Sequence, residues 1–305
     1  MQQHAAYSPR VSISQSPFVI LRFRSPPAPL DGYVSLLTYH RGYDPEHVIE
    51  RLLPDGGINL IVDLTNREKH IFDNERLSVV QTCEQSWISG VRTELISISA
   101  GLNSCMLVIS FPPWGASAFT DVPMDRLADR VLPAQDVWGS SMARLRERAG
   151  QASRTDERLA PGGEADGVFD AAEAWLGENF RHPGNGFSLA RSAAERLMHD
   201  PAMVAIDEIV SAAGASHRHM ISLFARYVGV TPKRLQRVRR FQRVVEEVHR
   251  TGDVDWAALA LDCGFCDQAH LIREFKAFSG LSPGRYLEVR GEIMNYVPVN
   301  VTAEA

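Results

Sequence analysis

Cysteine, histidine and arginine are the side chains here whose spacing invites chemistry. Cys263-Gly-Phe-Cys266 has the C-x-x-C spacing of a redox pair or of half a zinc site. A closed zinc site needs four ligands, and neither a second cysteine pair nor a suitably spaced histidine cluster accompanies it. Cys263 falls at the buried end of a helical pattern, so a small core residue is expected there and no metal. Cys83 and Cys105 stand in or beside strand-like runs and are expected to be inert. His40, His47 and His70 are too scattered for the metal triad of a catalytic barrel. There is no P-loop, no G-x-S-x-G and no G-x-G-x-x-G, so no catalytic residue and no cofactor is expected. The arginines are different. Residues 217–243 carry eight basic side chains (Arg218, Arg226, Lys233, Arg234, Arg237, Arg239, Arg240 and Arg243) and no acidic one. The whole chain has a formal charge of −5, divided as −8 over residues 1–216 and +3 over 217–305. A basic stretch joined to an acidic partner fits a polyanion binder with a separate task at its other end. On charge alone, a solvated helix face fits as well.

The elements that would hold these arginines are helices, and they are duplicated. One copy runs from Ile206 through Ile209, Gly214, Ser216, Met220, Phe224 and Gly229 to Pro232. The other runs from Trp256 through Leu259, Gly264, Asp267, Leu271, Phe275 and Gly280 to Pro283. The first three landmarks match at an offset of 50 and the rest at 51, so the second turn is one residue longer. Gly214 and Gly264 can take the positive φ that ends a helix. Ser216 and Asp267 are suited to N-cap the next helix. Met220/Phe224 and Leu271/Phe275, at i and i+4, give each second helix one apolar stripe. Helix, glycine turn and capped helix together make the helix-turn-helix plan. Between the copies, Leu235, Val238, Phe241, Val245 and Val248 mark the buried line of one helix from Pro232 to His249. At about 18 residues it spans roughly 27 Å, which could hold two reading helices near the ~34 Å between successive major-groove turns.

At this point the residues resemble a family. Gly264-Phe265-x-Asp267-Gln268-x-His270-x-x-Arg273-x-Phe275-Lys276-x-x-x-Gly280-x-Ser282-Pro283-x-x-Tyr286 is similar to the signature of AraC/XylS-type transcriptional regulators, and the likeness covers about residues 200–290. It implies seven helices carrying two helix-turn-helix units, double-stranded promoter DNA as partner, and a function that in most members is activation through RNA polymerase. On the reading helices the exposed positions follow the cap. Gln268, Ala269, His270 and Arg273 are the expected base contacts of the second helix. Arg273 can pair bidentately with guanine O6 and N7, and Gln268 can reach adenine or a phosphate. His270 either reads a base or braces the turn. In the first helix the matching positions are His217, Arg218, Ile221 and Ser222, with Arg218 and Ser222 the expected readers. Ser222 departs from the pattern, standing where an arginine is frequent, so unequal reading by the two units is expected. Lys233, Arg234, Arg237, Arg240 and Lys276 are expected to meet phosphate, which sets affinity and not sequence, while Arg239 and Arg243 are candidates for simple solvation.

Residues 1 to about 120 alternate short apolar runs, such as Ile58–Val62 and Cys105–Ile109, with Pro/Gly/Asp clusters. This predicts a β-rich, barrel-like domain, so the expected class is α+β with an all-α C-terminal domain. The expected boundaries are 1–150 for a sensor or dimerisation domain with C-terminal helices, 151–167 for a linker and 168–305 for the DNA reader. Leu52-Leu53-Pro54-Asp55-Gly56 and Phe111-Pro112-Pro113-Trp114-Gly115 resemble the uncharacterised sensor-like domain that precedes some of these modules. Trp87, Trp114 and Trp138 are candidates to line a pocket for a small effector, or else plain core, and Met124–Arg148 could pair two chains as a homodimer. Four cysteines, no apolar run of ~18 residues and no secretory leader point to a cytoplasmic protein away from the membrane. The rival expectation is an enzyme or ligand-binding barrel whose helical tail binds protein.

Overall fold

The computed structural model describes residues 20–101, 103–155, 164–202, 205–250, 254–291 and 293–299. The strands are β1 (Ile20–Arg24), β2 (Leu36–Tyr43), β3 (Ile49–Leu52), β4 (Ile58–Asp63), β5 (Lys69–Phe72), β6 (Val79–Cys83), β7 (Ser86–Ser89), β8 (Ile96–Ser99), β9 (Ser104–Phe111) and β10 (Val131–Pro133). Helices follow: α1 (Gln135–Trp138), α2 (Ser141–Thr155), α3 (Glu164–Asn179), α4 (Phe187–His199), α5 (Ile206–Ala212), α6 (His217–Tyr227), α7 (Pro232–Arg250), α8 (Trp256–Asp262), α9 (Gln268–Ser279) and α10 (Pro283–Val289). A last strand, β11 (Tyr296–Val299), returns to the β-rich part. The class is α+β, as expected.

The strands form two antiparallel sheets, ordered β1-β2-β9-β4-β7-β10 and β11-β3-β8-β5-β6. This corrects the barrel-like expectation, because neither sheet closes on itself. Two of the edges are short strands bearing proline, Pro133 in β10 and Pro298 in β11. A residue without an N–H is tolerated at an edge and helps to stop a sheet from growing. The central strands behave as the alternation predicts: Ile58, Leu60 and Val62 of β4 and Leu107, Ile109 and Phe111 of β9 are buried, with less buried residues between them.

The linker expected at 151–167 is described only at its two ends. Residues 151–155 end α2 and 164–167 begin α3, while 156–163 lie outside the described residues. The two helices pack along each other, and α3 is tied back to the strands. Arg24 of β1 meets Asp166 and Asp170, each at 2.6 Å, and Glu173 at 3.7 Å, with its guanidinium over the Phe169 ring. The Trp175 indole N–H donates to Ser141 Oγ at 3.2 Å. Small residues, read from the sequence as a linker, are also what two close-packed helices require.

The cores do not divide where strands give way to helices. One cluster runs from Leu37, Leu60 and Ile109 in the sheet through Val168 and Trp175 in α3 to Phe224 in α6 and Leu235 at the start of α7. A second gathers Val238, Phe241 and Val245 of α7, Leu271 and Phe275 of α9 and Tyr286 of α10, together with Leu53, just after β3, and Val297 of β11. Each half of the helical region thus rests on strands.

Candidate DNA-reading interface

Both helix-turn-helix units form as the repeat implies. In the first, α5 ends at a turn where Gly214 has φ +60°, and Ser216 caps α6 by accepting a hydrogen bond from the His219 backbone N–H at 3.2 Å. In the second, Gly264 has φ +77° and approaches Ala202 so closely that a Cβ would lie 2.9 Å from its Cα. Asp267 caps α9 through the His270 N–H at 2.6 Å. The apolar stripes face inward. Met220, Leu223, Phe224 and Tyr227 are buried on α6, as are Leu271, Phe275 and Phe278 on α9. The opposite faces are open: His217, Arg218, Ile221 and Ser222 are exposed on α6, and Gln268, Ala269, Ile272, Arg273 and Lys276 on α9. The long α7 joins the units, and both cores take residues from it.

The family model of a helix-turn-helix domain matches residues 209–288, and that of a domain of unknown function (DUF6597) matches residues 22–133. The chain carries an AraC-type helix-turn-helix domain. It is a DNA-binding transcription regulator. Among solved structures it is similar to ToxT from Vibrio cholerae, at 11% identity over 83% of this chain and 97% of that one, with a TM-score of 0.45. ToxT with a bound unsaturated fatty acid matches at 11% identity over 79% of this chain and 93% of that one, with a TM-score of 0.40. No curated protein matches.

Within this AraC-type domain the side chains singled out by sequence sort into two groups. Arg218, Ser222, Gln268, Ala269 and Arg273 are exposed on the open faces, and Lys233, Arg234 and Lys276 are exposed nearby in sequence. The others are engaged. His270 accepts the Cys266 backbone N–H through Nδ1 at 3.4 Å and sets its ring edge-to-face with Phe265. Arg237 forms a two-pronged pair with Glu274 of α9, both contacts 2.9 Å, and lies over the Phe278 ring. That pairing raises the Arg237 pKa and holds the Glu274 carboxyl below its usual range. Arg240 donates to the Gly264 carbonyl at 2.9 Å and covers the Phe265 ring, and burial lowers its pKa. Arg237 and Arg240, both expected at phosphate, hold protein acceptors in the free chain. They cross-link α7 to the second unit, because carboxylate and carbonyl acceptors from distant sequence reach them first. Arg239 and Arg243 are not simply solvated either, lying 3.3 Å from Glu246 and 3.6 Å from Asp200.

Cys263 is buried, with its thiol pushed up to about 11 by that burial, while Cys266 is exposed. Among the described residues no group of three or more His, Cys, Asp or Glu side chains is placed to hold a metal ion. The three tryptophans named as pocket candidates pack in or against apolar clusters. Trp87 packs on a small cluster of Ile71, Cys83, Ile96 and Val131, whereas Trp114 belongs to the main core and Trp138 packs against it. The Trp138 indole donates to the Phe119 carbonyl at 2.8 Å and meets Trp175 edge-to-face. A cavity of about 210 Å³ does exist, but polar residues including Gln85, Ser86, Gln135 and Arg146 line it, with no tryptophan.

The reader is braced against the β-rich part at both ends. Gly229, with φ +95°, sits where a Cβ would lie 2.7 Å from the Met124 carbonyl oxygen, so the end of α6 rests on the 3-10 turn at Met124–Arg126. Gln242 of α7 donates to the Pro54 carbonyl at 2.6 Å and to Asn295 Oδ1 at 3.0 Å. Among the described residues no helix is long and apolar enough to cross a membrane.

Proposed function

We propose that α6 and α9 enter two successive major-groove segments of one promoter, so that a single chain does what two-fold dimeric repressors do with two. The observation carrying this reading is the repeat itself: two capped helices at matching offsets, each with one buried stripe and one open polar face. Arg273 and Gln268 read bases in the second segment, and Arg218 with Ser222 reads the first more weakly. Ala269 leaves room for a base edge beside them. Lys233, Arg234 and Lys276 meet phosphates. DNA selected from a random pool by the full chain tests this. The affinity should fall with salt at a log–log slope of about −0.9 for each phosphate neutralised, giving a slope of roughly −3 if those three lysine and arginine contacts form. A slope near zero would refute the reading.

The regulator activates transcription from the bound site by contact with RNA polymerase, as the resemblance implies, and the β-rich part conveys a small-effector signal or pairs two chains. Support for the signalling role lies in the two braces: a shift of the Met124 turn moves α6, and a shift of the Pro54 loop moves α7. Ligand screening by thermal shift, and transcription from the selected promoter with and without each hit, check it. A ligand that raises the melting temperature but leaves transcription unchanged contradicts the coupling.

A further inference from the structure

Two large apolar side chains stand out on the open faces of the reading helices. Ile221 of α6 is 48% exposed and Ile272 of α9 is 38% exposed. They are separated by 51 residues, the same offset that relates Met220 to Leu271 and Phe224 to Phe275, so they are the same position in the two copies. Neither belongs to a hydrophobic cluster among the described residues. A single exposed isoleucine is ordinary on a protein surface. The same residue at the same position of both reading helices, beside the polar readers, is a pattern. Ile221 lies between Arg218 and Ser222 on its helix, and Ile272 lies between Gln268 and Arg273.

We propose that Ile221 and Ile272 each pack on the C5-methyl group of a thymine, making thymine the required base at equivalent places in the two half-sites. In the major groove the thymine methyl is the apolar group of the base edges, and apolar side chains recognise it by contact. This deepens the DNA-reading proposal, and it names what an isoleucine can do where arginine and glutamine cannot. The two thymines should stand about one helical turn apart, roughly 10–11 base pairs, because the half-sites do. Ile221 also gives the first unit, which lacks an arginine at Ser222, a means of discrimination independent of hydrogen bonding.

Replacing thymine by deoxyuracil removes that methyl and leaves the pairing edge intact. On the selected DNA, full-chain protein should lose about four-fold in affinity at each of two thymines a turn apart, the effect of one buried methyl-sized group. Ile272→Ala should abolish the uracil effect at one of them and keep it at the other, with Ile221→Ala doing the reverse. Ile→Val at either position should retain it in part. Both sites are exposed, so the variants should fold, and unchanged melting curves confirm it. If no thymine shows a methyl effect, or if both effects survive in both alanine variants, the inference is wrong while specific DNA binding stands. If the full chain selects no DNA at all, the DNA-reading proposal and this inference fail together.

Discussion

At the scale of single residues, exposure separates side chains that can read DNA from those that hold the reader together. Arg273 is exposed and at the open face of α9, so Arg273→Ala should weaken binding to the selected site by about 1–3 kcal/mol and relax preference at one base pair. Binding to a panel of single-base variants checks this, and an unchanged profile would rule Arg273 out as a reader. His40 supports a prediction of another kind. It is half-buried in β2, and desolvation of its ring, with the Lys69 ammonium next in effect, lowers its pKa to about 4 from the ordinary 6.5. Between those values the unfolded chain binds a proton that the folded chain refuses, so stability rises with pH across that window. Above pH 6.5 there is no penalty. Acidification toward pH 4 should cost up to ~3 kcal/mol. His249, lowered first by burial and then by Arg290, acts in the same direction. Urea midpoints at pH 5 and pH 7.5 should differ less in His40→Gln than in the parent, and an identical pH slope in that variant would remove His40 as the cause.

At the scale of elements, the helix-turn-helix units were legible in the sequence because what makes them is local. A cap lies three residues from the N–H it satisfies, a glycine turn lies between its helices, and an apolar stripe repeats every three or four residues. Ser216→Ala and Asp267→Ala should each destabilise the protein by about 1 kcal/mol. Gly264→Ala should cost more than either, since it strains a positive φ and pushes a Cβ against Ala202. Chemical denaturation ranks the three, and a Gly264→Ala variant as stable as the parent would show that the turn relaxes freely. Partnerships made over long separations were not legible. Arg237 meets Glu274 across 37 residues, and nothing in the basic run announces it. Strand runs were recognisable one at a time, but β9 lying between β2 and β4 depends on which faces find each other in space. Closure into a barrel could not be judged without that order. The helical ends of the 151–167 segment, 151–155 and 164–167, were not legible for a related reason: small residues suit a loose linker or a tight helix pair, and only the facing helix decides.

At the scale of the whole molecule, strands and helices share their cores, so the β-rich part and the first reading unit should unfold as one. The cluster holding Leu37 and Ile109 of the sheet also holds Phe224 of the reading helix, and α3 stands between them with Trp175 only 1% exposed. Trp175 touches Trp138 ring to ring and donates to Ser141, both of which belong to the segment before the expected linker. Removing it leaves a void at the point where the two halves are joined. Trp175→Ala should therefore cost about 3–5 kcal/mol. It should lower the melting transition seen by a probe on β4 and by a probe on α6 alike, because neither element has a core of its own to fall back on. Residues 168–305 expressed alone would expose the faces of α3, α4 and α6 that the sheet and α2 cover, and should melt well below the full chain. The second reading unit, built on α7, α9 and the returning β11, is the part that could report separately. Site-specific probes on β4 and α6 that melt at different temperatures in the parent protein would show that the shared cluster does not bind the two halves into one cooperative unit. The braces at Met124 and Pro54 would then be too weak to pass a signal from the sheets to the reading helices.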